Sequence, residues 1–372
     1  MTIKRLNHLR TIMNRHDLDV IALVPGPNLR YLTGGVHFML ERPIVWLLPQ
    51  NGQPIAIIPK LEVPLFSLHR LPATLYAWTD KEGFGSAFQA ALTDLDLAGK
   101  TIGVEGLRMR FFEGEILRRY APEARVIQAD EYLAALRLIK DEGEIEAIRQ
   151  AISISEHALT RTLTEVKLGW SEREMAARLE ANLQAFGADG LAFDTILHAG
   201  ANTALPHTRP LNYRLQPGDP ILIDFGATYQ GYCADITRTV CWGEPTTAFH
   251  QFYEVVRQAN AAGRAAAKPG VTAGTVDRAT QAVLIDAGYE VLIRHRTGHG
   301  LGLEAHEAPY LVDGNEQALE PGMVITLEPG LYEMGVMGVR IEDDLLITAE
   351  GAECLTSFPH ELQSISGGES VS

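Results

Sequence analysis

The sequence predicts a mixed α/β (α+β) protein of two domains, and three observations predict it. Over the first 130 residues, apolar runs of strand length alternate with stretches of helical spacing. From 131 to about 166 breakers almost vanish and the spacing becomes that of long helices. Beyond 186 the chain turns to short strands and Gly/Pro turns, interrupted by two helical stretches. A chain of 372 residues is long enough for two or three domains with a core each.

The elements follow in order. Residues 3–16 place Leu6, Leu9, Ile12 and Met13 at helical spacing, and residues 20–24 form a buried-strand run ending at Pro25. Residues 44–48 and 55–58 flank Asn51-Gly52, a turn signal between two strands. A helix at 85–92, a strand at 101–104, a helix at 111–120 and a strand at 125–128 complete a first domain expected to span 1–130. Leu133, Leu136, Ile139, Ile145, Ile148 and Ile152 then mark connecting helices over 131–166. The acidic cluster at 141–144 suits a helix start, because carboxylates favour the positive end of the helix dipole. Further helices are expected at 171–186, 249–267 and 275–287. The second domain is expected to cover 131–362, with 363–372 a small, polar, frayed tail.

Composition excludes several classes. Lys plus Arg is 32 and Asp plus Glu 47, and the formal charge of −15 argues against nucleic acid or an anionic membrane as partner. Cys233, Cys241 and Cys354 make no even disulfide framework, so a reducing, cytoplasmic location is expected. The N-terminus lacks the apolar stretch of a signal peptide, and no apolar run is long enough to span a bilayer. Neither a phosphate-binding glycine motif nor G-x-S-x-G occurs, which disfavours nucleotide and serine-nucleophile chemistry.

The residues that carry chemistry are mostly acidic. Asp224 and Asp235 lie on two strand-like segments around a turn near residues 229–231, and a tight hairpin centred there sets them roughly opposite each other. Like charges directly opposite are destabilising, and a cation is the simplest compensation; the competing reading is a pair of solvated turn aspartates. The pattern repeats with Glu328 and Glu342, whose midpoint is Gly335 in a second plausible turn. There the competing reading is a solvated sheet edge, weakened by Ile325, Leu327, Val339 and Ile341, which suggest buried strands where a bare carboxylate is costly. His299 sits among glycines in T-G-H-G-L-G, and His306 opens H-E-A-P. Their spacing does not fit a helical zinc pair, and Tyr310 stands where the second histidine of H-E-x-x-H would be. Taken together, four carboxylates and one imidazole balance two divalent cations, with Mn²⁺ or Co²⁺ favoured and Zn²⁺ or Fe²⁺ possible.

In this order D-x-G, D-x-T-R-T, G-H-G-x-G, H-E-x-P, E-P-G and V-R-I-E-D resemble the pita-bread metallopeptidases. That family includes prolidase, aminopeptidase P, methionine aminopeptidase and the metal-free creatinase. The likeness is strongest over 191–362, and the presence of an N-terminal domain favours the proline-directed branch. The resemblance implies a creatinase-like N-terminal α/β domain and a pita-bread catalytic domain with an antiparallel sheet and flanking helices. It implies that Asp224 holds one metal, His299 and Glu328 the other, and that Asp235 and Glu342 bridge. It further implies a bridging hydroxide that Glu328 orients and whose proton it shuttles, with substrate-side histidines at His207, His295 and His306. Arg340 would hold carboxylates behind the ligands. The activity implied is hydrolysis of the Xaa-Pro bond in dipeptides or at the N-terminus of short peptides, by a homodimer. Tyr310, where some prolidases place an arginine, favours the longer peptides. Two other classes stay open: a different peptidase or small-molecule hydrolase or lyase on this scaffold, and a binding relative without catalysis. Phe38, Met39 and Leu40 are unusual for a solvated loop, and are either local core or a segment reaching a partner subunit.

Overall fold

The amphipathic spacing of the first residues produces α1 (Thr2–Arg15), which buries Leu6, Leu9, Ile12 and Met13. The computed structural model describes residues 2–366, and its contacts divide it into two units, Met1–Arg137 and Leu138–Ser372. In the first unit α1 is followed by β1 (Val20–Leu23), α2 (Pro27–Thr33), β2 (Val45–Pro49), β3 (Ile55–Pro59), α3 (Val63–Phe66) and β4 (Thr74–Trp78). Then come α4 (Gly85–Asp94), β5 (Thr101–Val104), α5 (Phe111–Tyr120), β6 (Arg125–Gln128) and α6 (Asp130–Ala134). The sheet runs β4-β3-β2-β1-β5-β6. Its central strands β1, β2 and β3 are buried along their whole length, which explains their unbroken apolar runs.

Three elements of this unit escaped the sequence reading: α2, the one-turn α3 and β4. β4 is a partly exposed edge strand with a weak pattern, and α2 is a short helix opened by Pro27 and closed by Gly34 at φ 75°. The unit also runs past residue 130, because Tyr132 of α6 stacks on His16 with centroids 4.0 Å apart. In the loop after Gly35, Met39 packs into the core, whereas Phe38 is 79% exposed and Leu40 54%. The local-core reading thus holds for Met39 alone.

In the second unit Asp141 caps α7 (Glu142–Glu165) by accepting from the Glu144 N–H at 3.0 Å, while the Glu144 carboxylate accepts from the Asp141 N–H. Ser171 and Glu174 repeat this capping box at α8 (Glu172–Ala185). After β7 (Gly190–Leu191) and β8 (Ile196–Ala199) comes a long hairpin of β9 (Pro220–Phe225), β10 (Ala227–Tyr229), β11 (Tyr232–Cys233) and β12 (Ile236–Trp242). α9 (Thr247–Ala266) and α10 (Ala273–Asp286) precede β13 (Gly298–Gly300) and β14 (Glu307–Leu311). A second hairpin holds β15 (Val324–Leu327), β16 (Gly330–Glu333), β17 (Met337–Arg340) and β18 (Asp343–Ile347), and β19 (Ala352–Cys354) and β20 (Ser364–Ile365) end the described chain. The larger sheets are β20-β12-β9-β8 and β14-β13-β15-β18-β19. Ser364 and Ile365, expected in the tail, instead pair with Cys241 and Trp242 of β12. The rest of that tail, 367–372, lies outside the described residues.

The register of the first hairpin differs from the expectation. Its two-residue turn is Gln230-Gly231, both at positive φ (50° and 84°), and Tyr229 pairs with Tyr232. Asp224 therefore faces Thr237, not Asp235. Asp235 falls two residues away on the same strand face, so the two aspartates are diagonal neighbours. The second hairpin keeps the expected centre at Gly335. Leu327 pairs with Asp343 and Gly330 with Arg340, and Glu328 and Glu342 fall opposite each other where Pro329 separates the two ladders.

Candidate metal centre and active site

The two hairpins and β13 bring one residue set together. Ligand atoms of Asp224, Asp235 and Glu342 lie within 4.8 Å of one another, as do those of His299, Glu328 and Glu342. A third such group joins Asp235 and His299 to His306. All five predicted ligands line one cavity of about 780 Å³, together with His207, His295, His306 and Arg340. Tyr310 does not line it; its ring lies under the Arg296 guanidinium at 4.4 Å, and Arg296 does.

Hydrogen bonds fix each group. The Thr237 hydroxyl, opposite Asp224, donates to Glu342 Oε2 at 2.6 Å and accepts from Arg340 Nε at 3.0 Å. Arg340 also donates from Nη2 to Asp224 Oδ2, and from Nη1 to the Tyr332 hydroxyl at 2.7 Å. His295 Nδ1 lies 2.8 Å from the Arg296 carbonyl, which can only accept. That nitrogen is the donor, which leaves Nε2 to meet the Tyr332 hydroxyl at 2.8 Å. His299 obeys the same logic. Its Nδ1 donates to the Gly300 carbonyl at 3.1 Å, so its Nε2 lone pair faces Glu328 Oε1 at 3.4 Å and Asp235 Oδ2 at 3.8 Å.

Electrostatics separates the carboxylates. Burial, reinforced by the Glu342 and Asp224 charges, pushes Asp235 well above the usual carboxylate range. Burial, with Glu328 and Asp224 nearby, does the same to Glu342. For Glu328 burial acts in the raising direction, yet His299 beside it and the fields of His295 and Arg340 hold it below its usual value. Burial, with His299 beside it, lowers His306 to about 4, and burial also lowers His295.

These donors fit a pair of divalent cations. Asp224 Oδ1 is buried with no hydrogen-bond partner. A lone pair of His299 points at carboxylate oxygens with no proton between them. Four carboxylates crowd a site where a cation relieves both the repulsion and the orphaned acceptors. Oxygen-rich ligation with one nitrogen suits Mn²⁺, Co²⁺, Zn²⁺ or Fe²⁺.

Three residues of the site were not singled out from sequence. Tyr332 sits in a strand where nothing but tertiary contact marks it, and Thr237 stands inside the D-x-T-R-T motif, which gave it no role of its own. Arg296 follows His295 directly, and among the described residues no carboxylate partner faces its guanidinium, whereas Arg209 pairs with Asp194 and Arg340 with Asp224. An arginine beside a candidate pocket histidine was the available signal.

Comparison with known proteins places the chain among peptidases. Residues 146–349 match the model of metallopeptidase family M24, and residues 5–139 match the creatinase/prolidase N-terminal domain. An uncharacterized peptidase of Bacillus subtilis is 34% identical over 96% of this chain and 99% of its own. A Xaa-Pro dipeptidase of Pyrococcus horikoshii is 33% identical over 96% of this chain and 98% of its own. The crystal structure of a prolidase from Thermococcus sibiricus superimposes with a TM-score of 0.94 at 32% identity, covering 98% of this chain and 99% of that one.

Proposed function

The chain belongs to metallopeptidase family M24, and from that premise we propose that it hydrolyses the Xaa-Pro bond in dipeptides and at the N-terminus of short peptides. The observation that carries this reading is the single cavity on which Asp224, Asp235, His299, Glu328 and Glu342 converge beside three histidines. The relatives named for Xaa-Pro dipeptidase and prolidase activity support the substrate class.

In this reading Asp224 would hold one divalent ion, His299 and Glu328 would hold the other, and Asp235 and Glu342 would serve both. Mn²⁺ or Co²⁺ is preferred on donor type. When bound, such a pair supplies Lewis acidity and makes water a stronger acid. The chain's own groups do the rest. Glu328, held ionised, takes the proton of the attacking water and passes it to the proline nitrogen. That transfer is required, because an amide nitrogen leaves as an amine only once it is protonated. His306, neutral at pH 7, donates to the oxygen that gains charge as the carbonyl is attacked. His207 and His295 contact the substrate, and Arg340 holds Asp224 and Thr237 in place. Arg296 offers a cation to the free carboxylate of a short substrate, where sequence had favoured longer peptides.

A cytoplasmic homodimer completes the reading, supported by three free cysteines and by exposed Val36, Phe38 and Leu40. The test is to strip the protein with chelator, restore Mn²⁺ or Co²⁺, and assay Xaa-Pro, Xaa-Pro-Yaa and Met-peptides. Restored cleavage of the proline substrates is expected. Cleavage confined to Met-peptides, or chelator-resistant activity without bound metal, would overturn the proposal.

A further inference from the structure

Residues 205–211, which carry His207, join no strand and no helix. A segment without ladder bonds takes its order from side-chain anchors. The carbonyls on both sides of His207 are held. Arg340 Nη1 donates to the Pro206 carbonyl at 3.4 Å, and His198 Nε2 donates to the Thr208 carbonyl at 2.8 Å. Arg173 Nε donates to the Pro210 carbonyl at 3.2 Å.

One carboxylate ties the end of the segment, Leu211, to the chain that leads into it at Ala199 and Asn202. Glu172, the first residue of α8, has a fully buried side chain. Its Oε1 accepts from the Ala199 N–H at 2.9 Å and from Asn202 Nδ2 at 3.0 Å. Its Oε2 accepts from the Leu211 N–H at 2.6 Å, and His198 Nδ1 lies 3.3 Å from the same oxygen. His198, on β8 and equally buried, thus stands between Glu172 and Thr208, each ring nitrogen aimed at an oxygen acceptor. Such an arrangement locks the ring in one orientation. Neither Glu172 nor His198 lines the cavity, while His207 and Thr208 do.

We infer that Glu172 and His198 are positioning residues for His207, fixing the backbone of 205–211 so that its imidazole faces the cavity. The inference rests on the Xaa-Pro hydrolase reading, in which His207 contacts substrate. A misplacement of about 1 Å at a substrate-contacting group costs on the order of 10²-fold in rate.

The test uses the metal-loaded, full-length enzyme with Glu172→Gln, His198→Ala, His198→Gln, His207→Ala and the His198→Ala/His207→Ala pair. His198→Ala is expected to lower kcat/KM on an Xaa-Pro-Yaa peptide by about tenfold to a hundredfold with bound metal unchanged. His198→Gln, which keeps an N–H donor, should recover most of that loss. With His207 already removed, His198→Ala should cost less than about twofold, because its effect passes through His207. Additive losses in the pair, or loss of metal with His198→Ala, would overturn the inference. Hydrogen exchange supplies a readout independent of activity. Residues 199–211 should exchange faster in Glu172→Gln and His198→Ala while β9 and β12 keep their protection. Unchanged exchange there, or faster exchange throughout the second unit, would also overturn it. An enzyme that cleaves no proline substrate at all would sink the hydrolase reading, and the exchange comparison would still decide whether the two residues hold this segment.

Discussion

Asp235 and Glu342 each belong to two of the overlapping ligand groups, whereas Asp224 and Glu328 each belong to one. A residue shared between two ion positions is the one whose removal disturbs both. Asp235→Ala and Glu342→Ala are each expected to abolish peptidase activity and to lower the metal bound, measured by atomic emission. Near-normal activity and metal content in either variant would dismiss the two-ion assignment. His306 gives the opposite signature. Its ring lies 4.1 Å from that of His299, yet its proposed work is on the substrate oxygen. His306→Ala should leave metal content intact and reduce kcat on the order of 10²–10³-fold, the loss typical of one donor aimed at a developing oxyanion. Loss of metal with the activity would make His306 a ligand.

The first hairpin depends on a glycine at its closest approach. A Cβ on Gly226 would lie 1.8 Å from the Ala234 carbonyl oxygen, between the residues that carry Asp224 and Asp235. Gly226→Ala should destabilise the protein by roughly 1–3 kcal/mol, as overpacking does, and weaken metal binding with it. A urea midpoint and metal affinity equal to the parent protein's would refute this. At the start of α8, burial acts to raise the Glu172 carboxyl, but the bonds from His198, Ala199, Asn202 and Leu211 outweigh it and hold the group below its usual range. A carboxyl depressed in the folded state stabilises above the ordinary carboxylate range and loses that contribution as pH falls through the depressed value. The stability gap between the parent and Glu172→Gln should therefore narrow on acidification, followed by urea denaturation from pH 7 downward. A gap that widens in acid would contradict the assignment. Much at this scale was legible in the sequence: the acidic start of α7, the helix at α8, the centre of the second hairpin and the five residues that converge on one cavity. The register of the first hairpin was not, because a glutamine at positive φ is not the residue that usually announces a two-residue turn. Glu172 was silent because its partners His198, Ala199, Asn202 and Leu211 are distant in sequence.

For the whole molecule, the carboxylate cluster is a liability without cations. A ligand that binds only the native state stabilises it by mass action, about 2.7 kcal/mol at a hundredfold excess over Kd. Chelator should lower the melting temperature and Mn²⁺ or Co²⁺ should raise it, followed by calorimetry; indifference to both would argue against a native metal site. The exposed Phe38 and Leu40 bear on assembly. Phe38→Ser with Leu40→Ser is expected to shift a dimer toward monomer in sedimentation, with little change in the thermal stability of the first unit. A dimer that survives both substitutions would place the interface elsewhere. The paired hairpins carry one more consequence, for the order of folding. Each closes across a short turn, so each can find its register from contacts close in sequence, which form early. What neither can do alone is bring Asp224 and Asp235 against Glu328 and Glu342. That encounter of four like charges is left to the docking of one hairpin on the other, a late step in refolding whose barrier divalent cations should lower.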